Sequence, residues 1–187
     1  RLLSDQRFDQ SLTNHMRLFI SGSAPLLAET HREFEDRTGK KILERYGMTE
    51  TNMCTSNPYD EERIAGTVGL PLPGVELRIA DDQGNEIKQG EIGIIELRGE
   101  NVFKGYWQMP DKTNDSFRKD GFFITGDMAK IDHKGYVTIV GRDKDLIITG
   151  GLNVYPKEVE TVIDQIESIL ESAVFGSPHK DFGEAVV

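Results

Sequence analysis

The chain has 187 residues, room for one ordinary domain or for one domain and part of another, and its 32 acidic residues against 22 basic ones give a net charge of −10. That balance disfavours a nucleic-acid partner, whose phosphates require a basic face. Cys54 is the only cysteine, which excludes an internal disulfide and suits a reducing, cytoplasmic setting; the histidines (15, 31, 133 and 179) lack metal-ligand spacing, no apolar run approaches the roughly 18 residues of a membrane span, and no signal-peptide pattern opens the chain.

Met16-Arg17-Leu18-Phe19-Ile20 is a short apolar run that predicts a buried strand, and Ser21-Gly22-Ser23-Ala24-Pro25 predicts the turn after it. Residues 26–38 carry Leu27, Thr30, Phe34 and Arg37 at helical intervals and stop at Gly39, a common helix C-terminal cap. Ile42 and Leu43 then lead toward Tyr46 as a second strand. Strand, crossover helix and strand make a parallel unit, and ligands of such sheets gather at the carboxyl ends of the strands, where Gly22 and Gly47 lie. From 66 to 140 the texture is β-rich, with strands expected at 75–80, 92–98, 122–125 and 136–140 and hairpin-like turns at 82–85 and 132–135, so that a small barrel or sandwich fits best. Beyond Arg142 the pattern changes to a strand at 145–148, a helix opened by Pro156 and running to about 166, and a strand at 172–175. Glu158 and Glu160 suit the positive end of that helix, and its acidic residues read as a solvated face.

Three segments place an oxygen or cationic ligand beside glycine, where backbone turns sharply and approaches a substrate closely: Glu-Arg-Tyr-Gly-Met-Thr-Glu-Thr at 44–51, Thr-Gly-Asp at 125–127 and Gly-Arg-Asp-Lys-Asp at 141–145. Together they suggest a nucleotide site. At Thr49 a hydroxyl can donate to a phosphate oxygen, and at Glu50 a carboxylate can hold a hard cation such as Mg2+. The plain alternative is a helix start capped by Thr49, with Glu50 in solvent. Tyr46 offers adenine a flat face, and Gly22, Ser23 and Ala24 offer it a backbone edge; otherwise these are a core tyrosine and a tight turn. Asp127 suits the two hydroxyls of a ribose, and Arg142, also preceded by glycine, can reach ribose or phosphate, unless both are surface-turn residues. Gly150 and Gly151 can be a plain turn. No Gly-x-x-x-x-Gly-Lys-Ser/Thr loop occurs, and Ser21-Gly22-Ser23 is not a hydrolase nucleophile elbow.

With Gly-Gly-Leu-Asn-Val-Tyr-Pro-Lys-Glu-Val-Glu at 150–160, these motifs make the chain resemble the adenylate-forming acyl-CoA synthetases over nearly its whole length. Arg-Tyr-Gly-Met-Thr-Glu-Thr-Asn-Met, followed by Thr-Ser-Asn-Pro-Tyr-Asp, is most similar to the malonyl-CoA synthetase branch. The resemblance implies an α/β fold. Residues 1–142 would end a large adenylating N-terminal domain, with a parallel βα unit and a small β-barrel subdomain at about 66–140, and a hinge would lead to the start of a small α+β C-terminal domain at 143–187. It also implies an internal fragment, inactive alone, because the family's Ser/Thr/Gly-rich phosphate loop and terminal catalytic lysine are missing; the start at Arg1 and the stop inside Ala185-Val186-Val187 are in keeping with that.

The implied parent reaction uses ATP and Mg2+ to convert a carboxylic acid, here malonate, to an acyl-adenylate, from which coenzyme A displaces AMP. In that scheme Thr49 binds the α-phosphate, Glu50 the metal, and Asp127 and Arg142 the ribose. Tyr46 with Gly22, Ser23 and Ala24 sandwiches adenine, and Glu44, Arg45, Gly47 and Met48 complete the nucleotide-binding run. Arg45 and Ser23 hold the distal carboxylate of malonate, which an arginine fork can grip bidentately, unless Arg45 is paired with Glu44 or another surface acid. Lys144 is the pivot of a C-terminal rotation, and Gly151 lies near the CoA tunnel. Another small dicarboxylate, methylmalonate, an amino or aryl acid, or a non-catalytic nucleotide-binding scaffold are the competing readings, and oligomeric state is left open.

Overall fold

A computed structural model describes residues 2–24, 26–166 and 168–187; Arg1, Pro25 of the expected turn and Glu167 of the expected acidic face lie outside the described residues. The fold mixes helices with three four-stranded sheets. A short first helix, α1 (Gln10–Thr13), is capped by Asp9, whose carboxylate accepts the Ser11 and Leu12 N–H groups. The expected strand-helix-strand unit follows as β1 (Ile20–Ser21), α2 (Ala28–Thr38) and β2 (Leu43–Met48), with Ile20 opposite Leu43 in parallel register. Helix α2 ends where glycine requires it, since Gly39 adopts φ 69° and its N–H bonds the Glu35 carbonyl. Its buried face is His31, Phe34 and Thr38 rather than the Leu27-Thr30-Phe34-Arg37 row.

One expectation is corrected here. The run at 16–20 is not a buried strand: pairing covers Ile20 and Ser21 alone, and Ile20 is half exposed. Among the described residues β1 pairs with β2 alone, and in this run Phe19 packs edge-on against Phe34 of α2 at 4.9 Å while Ile20 lies half exposed at the sheet edge.

Strand β2 turns back through a hairpin into β3 (Asn52–Ser56), and β4 (Leu70–Pro71) completes the order β1-β2-β3-β4. Next comes an antiparallel meander of β5 (Val75–Ala80), β6 (Gly93–Gly99), β7 (Phe123–Ile131) and β8 (Val137–Arg142), with α3 (Pro110–Asp115) inserted between β6 and β7. Inward side chains alternate along these strands, and Ile79, Ile95, Leu97, Ala129 and Val137 form the core with Cys54 of β3. The β-rich region is therefore an open meander packed on the β2-β3-β4 sheet, the sandwich of the two expected alternatives rather than the barrel. The second layer comes mainly from residues upstream of 66, with β4 at 70–71 joining it, and Val137 ties the layers by accepting from Val68 and donating to Gly69, both at 2.9 Å.

On the outer face of the meander, Glu96 is fully buried between Arg78 at 2.7 Å and Arg118 at 2.7 Å, and Arg78 continues to Asp120 at 2.7 Å. The guanidinium carbons of Arg78 and Arg98 lie 3.9 and 4.5 Å from the centre of the Phe122 ring. A carboxylate with no water contact is tolerated there because each oxygen meets a guanidinium.

After β8 a one-turn 3-10 helix (Asp143–Asp145) leads to β9 (Ile147–Thr149), β10 (Leu152–Val154), α4 (Pro156–Ile163), β11 (Gly176–His179) and β12 (Gly183–Val186), in the sheet order β10-β9-β12-β11. Pro156 occupies the first turn of α4, as its fixed φ and missing N–H favour. The helix stops at Ile163, and the expected strand at 172–175 begins instead at Gly176. The Val174 N–H is taken by the Glu160 carboxylate at 3.0 Å, so it is not available to a ladder. Glu160 also receives Lys157 at 3.3 Å and is thus a tie between α4 and the following chain, not part of a solvated face.

Replacing Glu96 with Ala leaves Arg78 and Arg118 without their shared partner, and about 2 to 3 kcal/mol of unfolding free energy should be lost. Urea denaturation of the two proteins measures this, and an unchanged midpoint would mean that the network contributes no stability.

Candidate functional site

A cavity of about 700 Å3 opens where the chain leaves β1 and β2 and reaches across to β8 and the first turn of α4. Its walls include Ser21, Ser23, Ala24 and Leu27, the whole 44–48 run, Asp127, residues 138–142, and Lys157, Glu158 and Thr161. The carboxyl ends of the parallel pair β1 and β2 therefore border it, as expected for such a sheet. Of the residues singled out from the sequence, Ser23, Ala24, Glu44, Arg45, Tyr46, Gly47, Met48, Asp127 and Arg142 line this one space. Thr49, Glu50, Lys144 and Gly151 do not; Gly22 sits beside it, against Arg45.

Asp127 is the centre of the polar wall. Its buried carboxylate accepts the Tyr46 hydroxyl at 2.6 Å and pairs through its other oxygen with Arg142 Nε at 3.1 Å. Its N–H donates to Thr125 Oγ1 at 3.0 Å, and Thr125 in turn donates to the Ile95 carbonyl at 2.8 Å, so the carboxylate stands on a fixed backbone. Burial first, and then the neighbouring Asp127 charge, push the Tyr46 hydroxyl far above its ordinary range, so it remains a donor at any physiological pH. Each carboxylate oxygen has further lone pairs with which to accept a ligand hydroxyl.

Arg45 and Glu44 face opposite ways, as neighbours in a strand must. The Glu44 carboxylate turns inward and meets His31 Nδ1 at 2.9 Å, with both side chains buried, and it also accepts the Gly66 N–H at 3.4 Å. Burial raises the Glu44 carboxyl above the usual range, and His31 opposes that rise. Arg45 turns outward across Gly22: a Cβ on Gly22 would come within 3.4 Å of the Arg45 carbonyl and 3.5 Å of its Cγ. Among the described residues no acid lies within ion-pair distance of Arg45. The pairing of Arg45 with Glu44 is thereby excluded, because that carboxylate is engaged by His31. Ser23 holds φ 71°, a left-handed conformation uncommon for serine, at the cavity mouth.

Gly47 is explained by its own hairpin. The β2-β3 register shifts between Tyr46 and Gly47, and a Cβ at 47 would lie 2.0 Å from the Asn52 carbonyl oxygen. The next residues are the tip of this hairpin, with the Thr51 N–H bonded to the Met48 carbonyl at 3.1 Å, so the alternative of a helix capped by Thr49 is overturned. Thr49 is exposed at the tip. Glu50 is half-buried, and its Oε1 accepts the Tyr106 hydroxyl at 3.1 Å. Burial and then the Glu50 charge raise the Tyr106 hydroxyl above its ordinary range.

Lys144 sits in the 3-10 turn and borders a second cavity of about 450 Å3 with Arg142, Lys157 and Glu184. Gly150 and Gly151 form the two-residue turn between β9 and β10 with φ 57° and 82°, a pair of positive angles suited to glycine. Sequence reading missed His31, Tyr106 and Lys157. Lys157 lies within the 150–160 motif, but no motif flags His31 or Tyr106, and nothing local signals which distant group each one meets.

A sequence profile of AMP-binding enzymes matches residues 1–107. A long-chain-fatty-acid–CoA ligase of Yersinia pestis is 42% identical over 186 residues, covering 99% of this chain and 33% of its own length. A malonate–CoA ligase of Arabidopsis thaliana is 41% identical over 172 residues, covering 91% of this chain and 28% of its own length. Among solved structures, ATP-bound MatB from Rhodopseudomonas palustris shares 63% identity and a TM-score of 0.97 over the whole chain and 37% of its own length, while apo MatB gives 0.83. The chain thus spans about a third of the length of the relatives it matches. A nucleotide-sized cavity at the ends of β1 and β2, bordered by the Tyr46-Asp127-Arg142 cluster, together with these matches, establishes that the chain belongs to the AMP-binding enzymes, the superfamily of adenylate-forming acyl-CoA synthetases.

Proposed function

We propose that the chain supplies the nucleotide- and acid-binding region of a cytoplasmic ligase that joins malonate to coenzyme A through malonyl-AMP. The observation that carries the choice of acid is Arg45, an outward guanidinium on the cavity wall with no acidic partner among the described residues. A monocarboxylic acid has no charge left for such a group once its carboxylate is committed to the α-phosphorus, whereas the second carboxylate of malonate offers a bidentate, charge-assisted partner. Ser23 at the cavity mouth adds a hydroxyl to the same end. The likeness to the malonate–CoA ligase of Arabidopsis thaliana points the same way.

In this reading adenine lies between the Tyr46 ring and the backbone at Gly22, Ser23 and Ala24. Asp127 receives the ribose hydroxyls while Arg142 neutralises its charge, and Thr49 donates to the α-phosphate. One malonate carboxylate attacks the α-phosphorus and pyrophosphate leaves; the thiolate of coenzyme A then attacks the acyl carbon and AMP leaves. The chain's contribution is chiefly placement of the reactants and preorganised donors at developing charge. Glu50 fits Mg2+: it is a hard oxygen donor whose Oε1 is held by Tyr106, and such an ion takes one carboxylate and completes its shell with phosphate and water. When bound, Mg2+ would neutralise phosphate charge.

The 3-10 turn at Lys144 is the proposed hinge, with residues 1–142 and 143–187 as the units it joins. The lower TM-score against apo MatB at unchanged identity shows that the ATP-bound and apo forms of that protein differ in arrangement, as a hinge would allow. Gly151 is proposed to approach the CoA chain. A second reading, a fatty acyl substrate, draws on the apolar side of the cavity at Leu26, Leu27, Val68, Ile139 and Val140.

Exchange of Arg45 for Ala in the full ligase chain that carries these residues should lower kcat/KM for malonate by about 2 to 5 kcal/mol of transition-state binding, and should leave acetate nearly unaffected. Steady-state kinetics with both acids tests this, and equal losses would remove Arg45 from the acid pocket.

Asp127→Ala should weaken ATP, and 2′-deoxy-ATP should suffer less from the mutation than ATP does, because the contact is already missing. Calorimetric titration of both nucleotides against both proteins gives the coupling. Additive losses would mean that Asp127 does not hold that hydroxyl.

A further inference from the structure

The hairpin tip that carries Glu50 is held from outside its own sheet by one stretch of chain, the loop leaving β6. Asn101 Nδ2 donates to the Thr51 carbonyl at 2.7 Å, the Phe103 N–H donates to the Glu50 carbonyl at 2.7 Å, and the Tyr106 hydroxyl reaches Glu50 Oε1 at 3.1 Å. Asn52 Nδ2 returns a bond to the Asn101 carbonyl at 3.4 Å. Backbone and carboxylate of one residue are thus gripped by the same loop.

That loop is itself anchored. The Tyr106 N–H bonds Thr113 Oγ1 at 2.9 Å, its ring meets Phe103 edge-on at 4.8 Å, and Lys112 Nζ lies 4.2 Å from the ring centre. Phe103 stacks on Phe117 at 5.8 Å and meets the fully buried Phe123 edge-on at 5.3 Å. A continuous set of contacts therefore runs from the core to a carboxylate that would otherwise rotate freely at a turn. Holding one oxygen removes rotamer freedom before a ligand arrives, and Oε2, which has no hydrogen bond among the described residues, keeps its lone pairs for a ligand.

We propose that Tyr106 is the positioning residue for Glu50, holding Oε1 so that the remaining oxygen is presented to the divalent cation of the nucleotide complex. The proposal rests on the reading of Glu50 as the ligand of that cation.

The test is binding, not turnover: Mn2+ is titrated into the full ligase chain with saturating ATP, and free Mn2+ is read by electron paramagnetic resonance. Tyr106→Phe keeps the ring and its packing and removes the donor. It should weaken Mn2+ binding about 10- to 100-fold while leaving metal-free ATP binding, measured in EDTA, at the wild-type value. In a Glu50→Gln background the same change should add no further loss. If Glu50→Gln binds Mn2+ as the wild type does, the reading of Glu50 fails and the proposal with it. If Glu50→Gln loses Mn2+ but Tyr106→Phe does not, the positioning role alone is overturned. Additive losses in the double variant, or an equal fall in metal-free ATP binding, would mean that Tyr106 serves only the general structure, and would also overturn it.

Discussion

The Asp127 carboxylate fastens three strands drawn from two sheets: β7, which carries it, β2 through Tyr46, and β8 through Arg142. Those three strands form most of the cavity's polar wall, so its shape depends on this one charge being satisfied. A buried carboxylate with a single partner would be costly, and the arrangement works because one oxygen takes a neutral donor and the other a cation. Arg142 is also the last residue of β8, immediately before the 3-10 turn. The same contact that fixes the cavity wall therefore fixes the point from which the remainder of the chain departs.

Strand β2 divides its labour by alternation. Its odd and even positions face different surroundings, which is why Glu44 can serve as an internal tie to His31 while Arg45 stands at the cavity. The bulge at Tyr46 and Gly47 then shifts the register just before the tip, so that Thr49 and Glu50 leave the sheet at a position the regular ladder would not give them.

Much of this was legible where physics is local. Gly39 announces the end of α2, Pro156 the start of α4, and the alternation of Val75, Leu77 and Ile79 marks β5 to the residue. The failures share one cause, a partner distant in sequence. Nothing near residue 20 tells how many neighbours β1 has. Thr-Glu-Thr at 49–51 reads equally well as a capped helix or a turn until the β2-β3 register is known. Cys54 looks unremarkable in sequence, yet it sits in the core because a second sheet covers the meander. At the site, the motif positions that share the cavity could be collected from glycine-flanked segments. The Tyr106 contact, 56 positions from Glu50, could not.

The outward guanidinium at 45 has a consequence for how such a protein can change. Every neighbour in β2 is committed: Glu44 to His31, Tyr46 to Asp127, Gly47 to the space beside the Asn52 carbonyl. Arg45, by contrast, has no ion-pair partner among the described residues, and exposed positions of this kind tolerate exchange within about half a kcal/mol of stability. If Arg45 selects the acid as proposed, acid preference can drift at one codon while the contacts beside it stay intact, so ligases with different acids can be neighbours by a single step on the same scaffold.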